Sequence, residues 1–277
     1  MGNLSIRQVT GGFGAEILGV DLGCLSETEF LRIREVFWEH GVVFFRDQDL
    51  SPEAHMDFAS RFGRINVNRF FQPVDGYPKI AEVRKEPDQQ ANVGGSWHAD
   101  HSYDAVPALG SVLVARELPE TGGDTLFANM GLAYEGLSDG FKKMLNGLSA
   151  RHSSRHVFGK QSRYSDQFAG RIGNSDQALQ DCVHPVVIRH PESGREILYV
   201  NPGFTTGIEG WSHEESRALL HFLFEHAQRP EFALRFRWRP GSVAFWDNRT
   251  TWHNAVNDYP GQKRLMHRIT IEGAPLS

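Results

Sequence analysis

The chain has 277 residues, of which 29 are Lys or Arg, 34 are Asp or Glu and 13 are His. Its 40% hydrophobic and 23% charged residues are typical of a globular protein with a sizeable core, which excludes disorder, a coiled coil and collagen. The net charge of −5 argues against a protein that coats nucleic acid, because such a protein needs a basic face.

The cysteines and the apolar runs indicate the compartment. Cys24 and Cys182 cannot form a disulfide framework, which favours a reducing cytoplasm. No apolar run approaches the ~20 residues of a membrane span, and residues 1–6 lack the basic and apolar regions of a signal peptide. We therefore predict a cytoplasmic protein that binds neither membrane nor nucleic acid.

Three of the four predicted helices lie before residue 150. Each follows a serine that can cap it, and Ser26 with Glu29 forms a capping box. In chain order the predicted elements are a helix at 26–40, a strand at 42–45, a helix from 51 that ends before 63, a strand at 111–115 and a helix near 138–148.

The second half is mostly strand. The predicted elements are a strand at 186–188, a helix at 212–228 and strands at 234–238, 242–246 and 264–271. Helices that precede a series of antiparallel strands predict an α+β or mainly β barrel rather than a parallel sheet. Since no linker or repeat divides the chain, residues 1–277 are predicted to form one domain.

The clearest local motif is Trp97-His98-Ala99-Asp100-His101. Residues two apart in an extended chain point to the same side, so His98 and Asp100 can bind one ion while Ala99 faces away. A second histidine would complete a 2-His-1-carboxylate triad, which suits Fe(II) and leaves coordination positions open. Without further residues, the pair is more typical of a surface histidine beside a carboxylate.

Other histidine groups are weaker metal candidates, because none has a carboxylate or cysteine partner at an informative spacing. They are the pair His152 and His156, the pair His184 and His190, and the set His213, His221 and His226, which is more simply a polar helix face.

The last predicted strand carries two arginines on one face, where Arg264 and Arg268 alternate with Met266 and Thr270. If this face lines a barrel interior, two anions are expected beside it, because unpaired buried charge is costly. Arginine binds a carboxylate through its planar fork. The alternative is that both groups reach solvent or internal carboxylates.

Four motifs in sequence order give the chain a resemblance to a known family. They are H-x-D at 98–100, G-G-D-T at 122–125, W-D-N-R-x-x-x-H-x-A at 246–255 and R-x-x-x-R at 264–268. In this order they resemble the TauD/TfdA family of Fe(II)- and 2-oxoglutarate-dependent dioxygenases, over nearly the whole chain. The resemblance implies a double-stranded β-helix (jelly-roll) core with flanking helices.

The resemblance also implies roles for individual residues. His98, Asp100 and His253 would bind iron, and Arg264 with Thr125 would bind the distal carboxylate of 2-oxoglutarate. The implied reaction consumes O2 and 2-oxoglutarate, releases succinate and CO2, and hydroxylates a substrate in a catabolic pathway.

The substrate positions depart from the taurine-using branch of the family. Asn68, Phe71 and Gly94 stand where that branch has a histidine, a tyrosine and an asparagine, so groups that would bind a sulfonate and an ammonium are missing. Phe158 and Phe204 fall near its aromatic positions and predict an apolar wall, although ordinary core residues would look the same. Taurine is therefore expected to be a poor substrate.

Arg268 falls where the family often contacts an acidic substrate, which predicts a larger organic anion: a sulfonate, a sulfate ester or an aryloxy or alkyl carboxylate. Residues 86–96, rich in Gln, Asn and Gly, predict a mobile lid, with a plain surface loop as the alternative. By the resemblance we expect a homo-oligomer, a dimer or a tetramer. Two alternatives stay open, a redox-neutral metal-dependent hydrolase or isomerase and a non-catalytic small-anion-binding jelly-roll protein.

Overall fold

The computed structural model describes residues 4–158 and 179–276. Its helices lie outside a core of β-sheets. They are α1 (Glu27–His40), α2 (Pro52–Ser60), α3 (Met130–Glu135), α4 (Asp139–Leu145), α5 (Arg155–Phe158) and α6 (His213–Ala227). None of the helices in these two ranges is long and apolar enough to cross a membrane.

The strands fall into one large and several small sheets. In chain order they are β1 (Ser5–Gln8), β2 (Ala15–Leu18), β3 (Val42–Phe45), β4 (Ile65–Asn66), β5 (Pro73–Val74), β6 (Tyr77–Lys85), β7 (Gly110–Glu117), β8 (Thr125–Asn129), β9 (Ser149–Ser153), β10 (Asp181–Pro185), β11 (Val187–Arg189), β12 (Glu196–Leu198), β13 (Thr205–Ile208), β14 (Ala233–Phe236), β15 (Val243–Asp247), β16 (Thr251–Ala255) and β17 (Arg264–Ile271).

Two of these sheets form the jelly-roll. The large sheet has the order β1-β2-β3-β15-β7-β17-β6-β5, with β4 also paired to β17, and the small sheet has the order β14-β8-β16. Only β2 and β3 pair in parallel among the strand pairs of the described residues. A sheet β10-β9-β13 and a hairpin β11-β12 complete the strands.

Successive side chains of each strand in the large sheet point alternately into the barrel and toward the helices that cover this sheet. Phe44 and Met266 of the large sheet pack inside against Phe127 and Phe236 of the small sheet. The other face of the large sheet packs against α1 and α2, where Phe245 stacks on Phe37 at 3.8 Å between ring centroids. The α+β or mainly β jelly-roll with flanking helices is thus confirmed.

The predicted face of the last strand is also present. Met266 points into the barrel, whereas Ile269 and Ile271 belong to the core under the helices. The alternating prediction for 234–238 has one difference, because β14 ends at Phe236 although Trp238 remains buried. The pairing of β14 with β8 ends at Phe236, because its partner Thr125 is the first residue of β8.

One prediction about a histidine was wrong. His226 does not belong to a polar helix face, because it is buried and its Nε2 donates to the carbonyl of Ala133 at 2.7 Å. His152 and His156, one of the weaker metal candidates, lie on β9 and α5 respectively. For His226 a tertiary contact, rather than the local spacing, decides which way the ring points.

The buried residue His55 is expected to make the stability of the fold sensitive to acid. It lies on α2, its Nε2 donates to the carbonyl of Val112 at 3.2 Å, and burial lowers its pKa to about 3. The unfolded chain takes up this proton near pH 6.5 and the folded chain does not. The folding equilibrium constant should therefore fall about tenfold per pH unit between about 6.5 and 3 on account of this residue.

We expect His55→Gln to remove this contribution, so that its free energy of unfolding falls less steeply than that of the wild type between pH 7.5 and pH 5. Urea unfolding at several pH values measures the two slopes. Ile33→Val, in the buried cluster beneath α1 and α2, is the control for a destabilised core without a titrating group and should keep the wild-type slope. Equal slopes for His55→Gln and the wild type would contradict the prediction.

Candidate active site

Two histidines pair at the edge of the small sheet, beside β16. His98 and His253 exchange both of their backbone hydrogen bonds, at 3.1 and 2.9 Å, and their imidazole centroids lie 4.1 Å apart. Ala99 faces away into the core outside this sheet, so Asp100 points to the same side as His98. The extended backbone predicted for the H-x-D motif therefore places three polar side chains together.

The geometry of these three groups fits a metal ion. His98 Nε2 lies 3.8 Å from Asp100 Oδ1, and His253 Nε2 lies 3.9 Å from Asp100 Oδ2. One donor atom from each lies within 4.8 Å of the others, and in residues 4–158 and 179–276 no other group of three or more such side chains does this. His98 Nδ1 donates to the carbonyl of Ser96 at 2.7 Å, which leaves Nε2 as the ligand atom.

The electrostatics put these donors in the protonation states that a metal requires. Burial lowers the pKa of His98 and lowers that of His253 well below its ordinary value, so both imidazoles are neutral. Burial is the largest single effect and opposes ionisation of Asp100, but Arg268 together with His253, His98 and His101 outweighs it and holds the pKa of this carboxyl well below its usual range. Two neutral imidazoles and a carboxylate form the 2-His-1-carboxylate donor set.

A cavity of about 380 Å³ adjoins the three groups. All of the residues predicted for the site line it: His98, Asp100, His253, Thr125, Arg264, Arg268, Asn68, Phe71, Gly94, Phe158 and Phe204. Sequence reasoning did not single out Tyr103 or Val93, which also line the cavity. Tyr103 lies two residues beyond the Trp97–His101 motif, and this proximity could have indicated it, whereas Val93 lies in the predicted lid segment 86–96 without a motif of its own.

Arg264 offers an unpaired charge to the cavity. Its Nε donates to the carbonyl of Gly123 at 3.1 Å, and its buried Nη2 has no hydrogen-bond partner in the described part of the chain. Burial lowers its pKa, and an anionic ligand would offset this cost. Thr125 Oγ1 accepts from Trp238 Nε1 at 2.9 Å, so the hydroxyl proton is free for a ligand.

The G-G-D-T loop needs both of its glycines. Gly122 and Gly123 have φ of 80° and 67°, a region that other residues rarely adopt. A Cβ on Gly122 would lie 2.5 Å from Asp258 Oδ1, and that oxygen accepts from the amide of Gly123 at 2.7 Å. These contacts bring the loop next to Arg264.

Arg268 differs from the expectation of two external anions. Its Nη1 lies 3.2 Å from both carboxylate oxygens of Asp100, so one of the two anions beside the arginines belongs to the chain itself. The internal-carboxylate alternative was therefore correct for Arg268 and not for Arg264. Arg268 Nε is buried without a partner among the described residues, and its guanidinium lies 4.8 Å from the Phe71 ring centroid.

Aromatic side chains form one wall of the cavity. Phe158 stacks on Phe70 at 4.0 Å, and Tyr103 meets Phe204 edge to face at 4.7 Å. These four residues form a buried cluster, with Phe71 packed against it. Phe158 and Phe204 are thus core residues that also line the cavity.

The remaining predicted positions contribute backbone shape. Asn68 Oδ1 accepts from the amides of Phe70 and Phe71 at 2.9 and 3.0 Å, which holds the turn that presents Phe71. Gly94 has φ of 78°, and a Cβ there would lie 3.2 Å from His98 Cε1. In the predicted lid segment, Asn92 Nδ2 donates to the carbonyl of Ala255 at 2.8 Å. A lid function for this segment stays a prediction.

A 2-His-1-carboxylate set inside a jelly-roll, beside a buried arginine with a free donor, is the arrangement of a metal-dependent oxygenase that uses an anionic cosubstrate. Residues 5–270 match the family described as taurine catabolism dioxygenase TauD, TfdA family, and the chain belongs to this family.

Individual relatives agree with this assignment. An alkylsulfatase of Acinetobacter baylyi is 37% identical over 98% of this chain and 85% of its own length. An alpha-ketoglutarate-dependent sulfate ester dioxygenase of Pseudomonas putida is 32% identical over 98% and 90%. The crystal structure of AAD-2 in complex with Mn(II) and N-oxalylglycine is 30% identical with a TM-score of 0.80, covering 98% of both chains.

The chain is therefore a 2-oxoglutarate-dependent dioxygenase, and its donor set together with the Mn(II) of the AAD-2 structure implies a metal. This confirms the resemblance and the enzyme class predicted from the motifs. The two alternatives, a redox-neutral metalloenzyme and a non-catalytic binding protein, are not favoured.

Proposed function

We propose that the metal is Fe(II), bound by His98, Asp100 and His253, and that O2 is the oxidant. The convergence of their donor atoms within 4.8 Å, on the cavity that also holds Arg264 and Thr125, carries this proposal. Three protein donors leave the other coordination positions to small ligands, which is the property that non-haem Fe(II) oxygenases need.

In this proposal the distal carboxylate of 2-oxoglutarate binds between Arg264 and Thr125. The free Nη2 of Arg264 supplies a charge-assisted hydrogen bond and the hydroxyl of Thr125 a second one. Trp238 fixes the direction of that hydroxyl, because an indole N–H can only donate.

The rest of the catalytic task is positioning. The iron with its cosubstrate supplies the oxidising power when bound. Arg268 holds the anionic head of the substrate through its unpaired Nε, which keeps a carbon of the substrate chain near the metal. Phe158 and Phe204 give the chain of the substrate an apolar wall and keep water away.

The substrate that fits best is a hydrophobic organic anion, with an alkyl sulfate ester as the first choice. A cavity of about 380 Å³ is in the range of sites for small organic ligands. Asp100 is the one acidic side chain among the described residues that line it, and Arg268 already pairs with it. An ammonium group such as that of taurine would therefore have no free carboxylate to pair with, whereas an alkyl or aryl group would pack against the aromatic wall. The two relatives described above that act on sulfates support the same class.

Succinate release tests this proposal. With Fe(II), 2-oxoglutarate and O2, we compare hexyl sulfate, hexanesulfonate, 6-aminohexanesulfonate, 2-phenoxypropionate and taurine. The amino group is the one difference between the two hexyl sulfonates, and we expect it to lower kcat/KM by about tenfold or more, because its charge is buried without a partner. Taurine turned over better than the larger anions would overturn the substrate assignment.

A pair of variants tests whether the substrate binds in this cavity. Phe71→Ala is expected to raise KM for hexyl sulfate by about tenfold, since the ring contributes apolar contact. Phe222→Ala, an exposed phenylalanine on α6, is the matched control and should leave KM unchanged.

Three further properties belong to the same proposal. We propose a single domain over 1–277, a catabolic role in the cytoplasm without membrane or nucleic-acid partners, and a dimer or tetramer. The unpaired Cys24 and Cys182 support a reducing compartment, and the net charge of −5 supports the absence of nucleic acid. Light scattering coupled to size exclusion measures the assembly, and a monomer would contradict it.

A further inference from the structure

A chain of hydrogen bonds between buried side chains ends on the carboxylate of Asp100. Ser111 Oγ donates to Asp100 Oδ2 at 3.0 Å, and Asn248 Nδ2 donates to Ser111 Oγ at 3.2 Å. Trp246 Nε1 in turn donates to Asn248 Oδ1 at 2.7 Å. Ser111 is fully buried, and Asn248 and Trp246 are each 1% exposed, so no solvent competes for these bonds.

Trp246, at the end of the hydrogen-bond chain away from Asp100, determines which groups donate and which accept. An indole N–H can only donate, so the amide oxygen of Asn248 must face Trp246 and the amide NH₂ must face Ser111. The hydroxyl of Ser111 then accepts from Asn248, and its single proton is directed to Asp100. Each member thus has one orientation that satisfies its neighbours.

Asn248, a member of this hydrogen-bond chain, lies in the turn between β15 and β16. Asp247 and Arg249, on either side of Asn248, form a buried ion pair at 2.7 Å. The backbone amide of Asn248 donates to the carbonyl of Leu109 at 3.0 Å. These contacts hold Asn248 in the position from which its side chain donates to Ser111.

Arg268 explains why the carboxylate needs this support. Arg268 Nη1 lies at the same distance, 3.2 Å, from both oxygens of Asp100 and attracts the group as a whole. Ser111 holds Oδ2 from a second direction, which fixes the plane of the carboxylate toward the two imidazoles. Without that bond, Asp100 can turn toward Arg268 and away from a metal.

We propose that Ser111 and Asn248 are positioning residues for the metal ligand Asp100, and that the W-D-N-R motif serves this purpose. The inference rests on the proposed metal site. Loss of such outer-shell partners commonly lowers metal affinity 10- to 100-fold. Ser111→Ala and Asn248→Ala are therefore expected to raise the dissociation constant for Mn(II) by about tenfold each.

Calorimetric titration with Mn(II), without 2-oxoglutarate, measures this constant. The double variant should bind Mn(II) no more weakly than Ser111→Ala alone, because Asn248 acts only through the serine. The visible spectrum of the Co(II)-loaded protein should change in the same variants, since the carboxylate geometry changes. Ser216→Ala is the matched control, as Ser216 is a buried serine on α6 whose Oγ accepts from the amide of Ile208 at 3.0 Å.

The outcomes separate this inference from the proposed function. Mn(II) binding by the wild type with equal constants in Ser111→Ala and Ser216→Ala would overturn the positioning role alone. Independent, additive effects of the two substitutions would overturn it as well, since they would indicate general destabilisation. If Ser111→Ala does not fold, Trp246→Phe tests the same chain, and it should weaken Mn(II) binding by several-fold. A wild type that does not bind Mn(II) would overturn the metal site itself.

Discussion

Replacement of His253 by alanine is expected to abolish metal binding and all turnover of 2-oxoglutarate. His253 supplies one of the three donors that converge within 4.8 Å, and the other two cannot hold the ion well. Asp100 would still pair with Arg268 at 3.2 Å, and this pairing competes with a metal. The affinity for Fe(II) should fall by more than about 100-fold, beyond the range seen when outer-shell partners are lost.

Anaerobic addition of Fe(II) and 2-oxoglutarate gives the measurement, because the bound pair absorbs visible light. The wild type should show this charge-transfer band and His253→Ala should lack it. His213→Ala, at the exposed start of α6, is the control and should keep the band. A band in His253→Ala, together with succinate release at the wild-type rate, would rule out the proposed ligand set.

The second large effect is expected for Arg264→Met, which should raise KM for 2-oxoglutarate by about 100-fold. A buried charge pair that loses one partner typically costs 2–5 kcal/mol, and 100-fold corresponds to about 2.7 kcal/mol. The affinity for Mn(II) should stay within about twofold, since Arg264 contacts none of the three ligand side chains through a hydrogen bond in the described residues.

Stability gives an independent check of the same variant. Arg264 Nη2 is buried and unpaired, so removal of the charge should leave the free energy of unfolding without ligand unchanged or raise it. Arg237→Met, an exposed neighbour just beyond β14, is the control and should change neither quantity. An unchanged KM in Arg264→Met would show that the cosubstrate carboxylate binds elsewhere.

Local features of the chain were sufficient to predict the four longest helices, α1, α2, α4 and α6, and part of the site, but not the short α3 and α5. The capping boxes at Ser26 and Ser212 predict where α1 and α6 begin, and both form as expected. The period of two predicts that His98 and Asp100 share a side and that Arg264 and Arg268 share a strand face. These are short-range properties, because backbone geometry over a few residues settles them.

Motif order was sufficient for the family but not for the contacts within the site. The pairing of His98 with His253 and the ion pair of Arg268 with Asp100 join residues more than 150 positions apart in the sequence. The same holds for the bond between Asn248 and Ser111, which are 137 positions apart. No periodicity reaches over such distances, so nothing local could indicate which oxygen or nitrogen meets which partner.

The burial of His226 and the double role of Arg268 show the same limit. A residue-type pattern identifies groups capable of chemistry, such as two histidines, one carboxylate and two arginines. The packing of the two sheets then decides that Arg264 keeps a free donor while Arg268 pairs with the ligand carboxylate. The pattern depends on backbone geometry along the chain, whereas the pairing depends on which strands the hydrophobic core brings side by side.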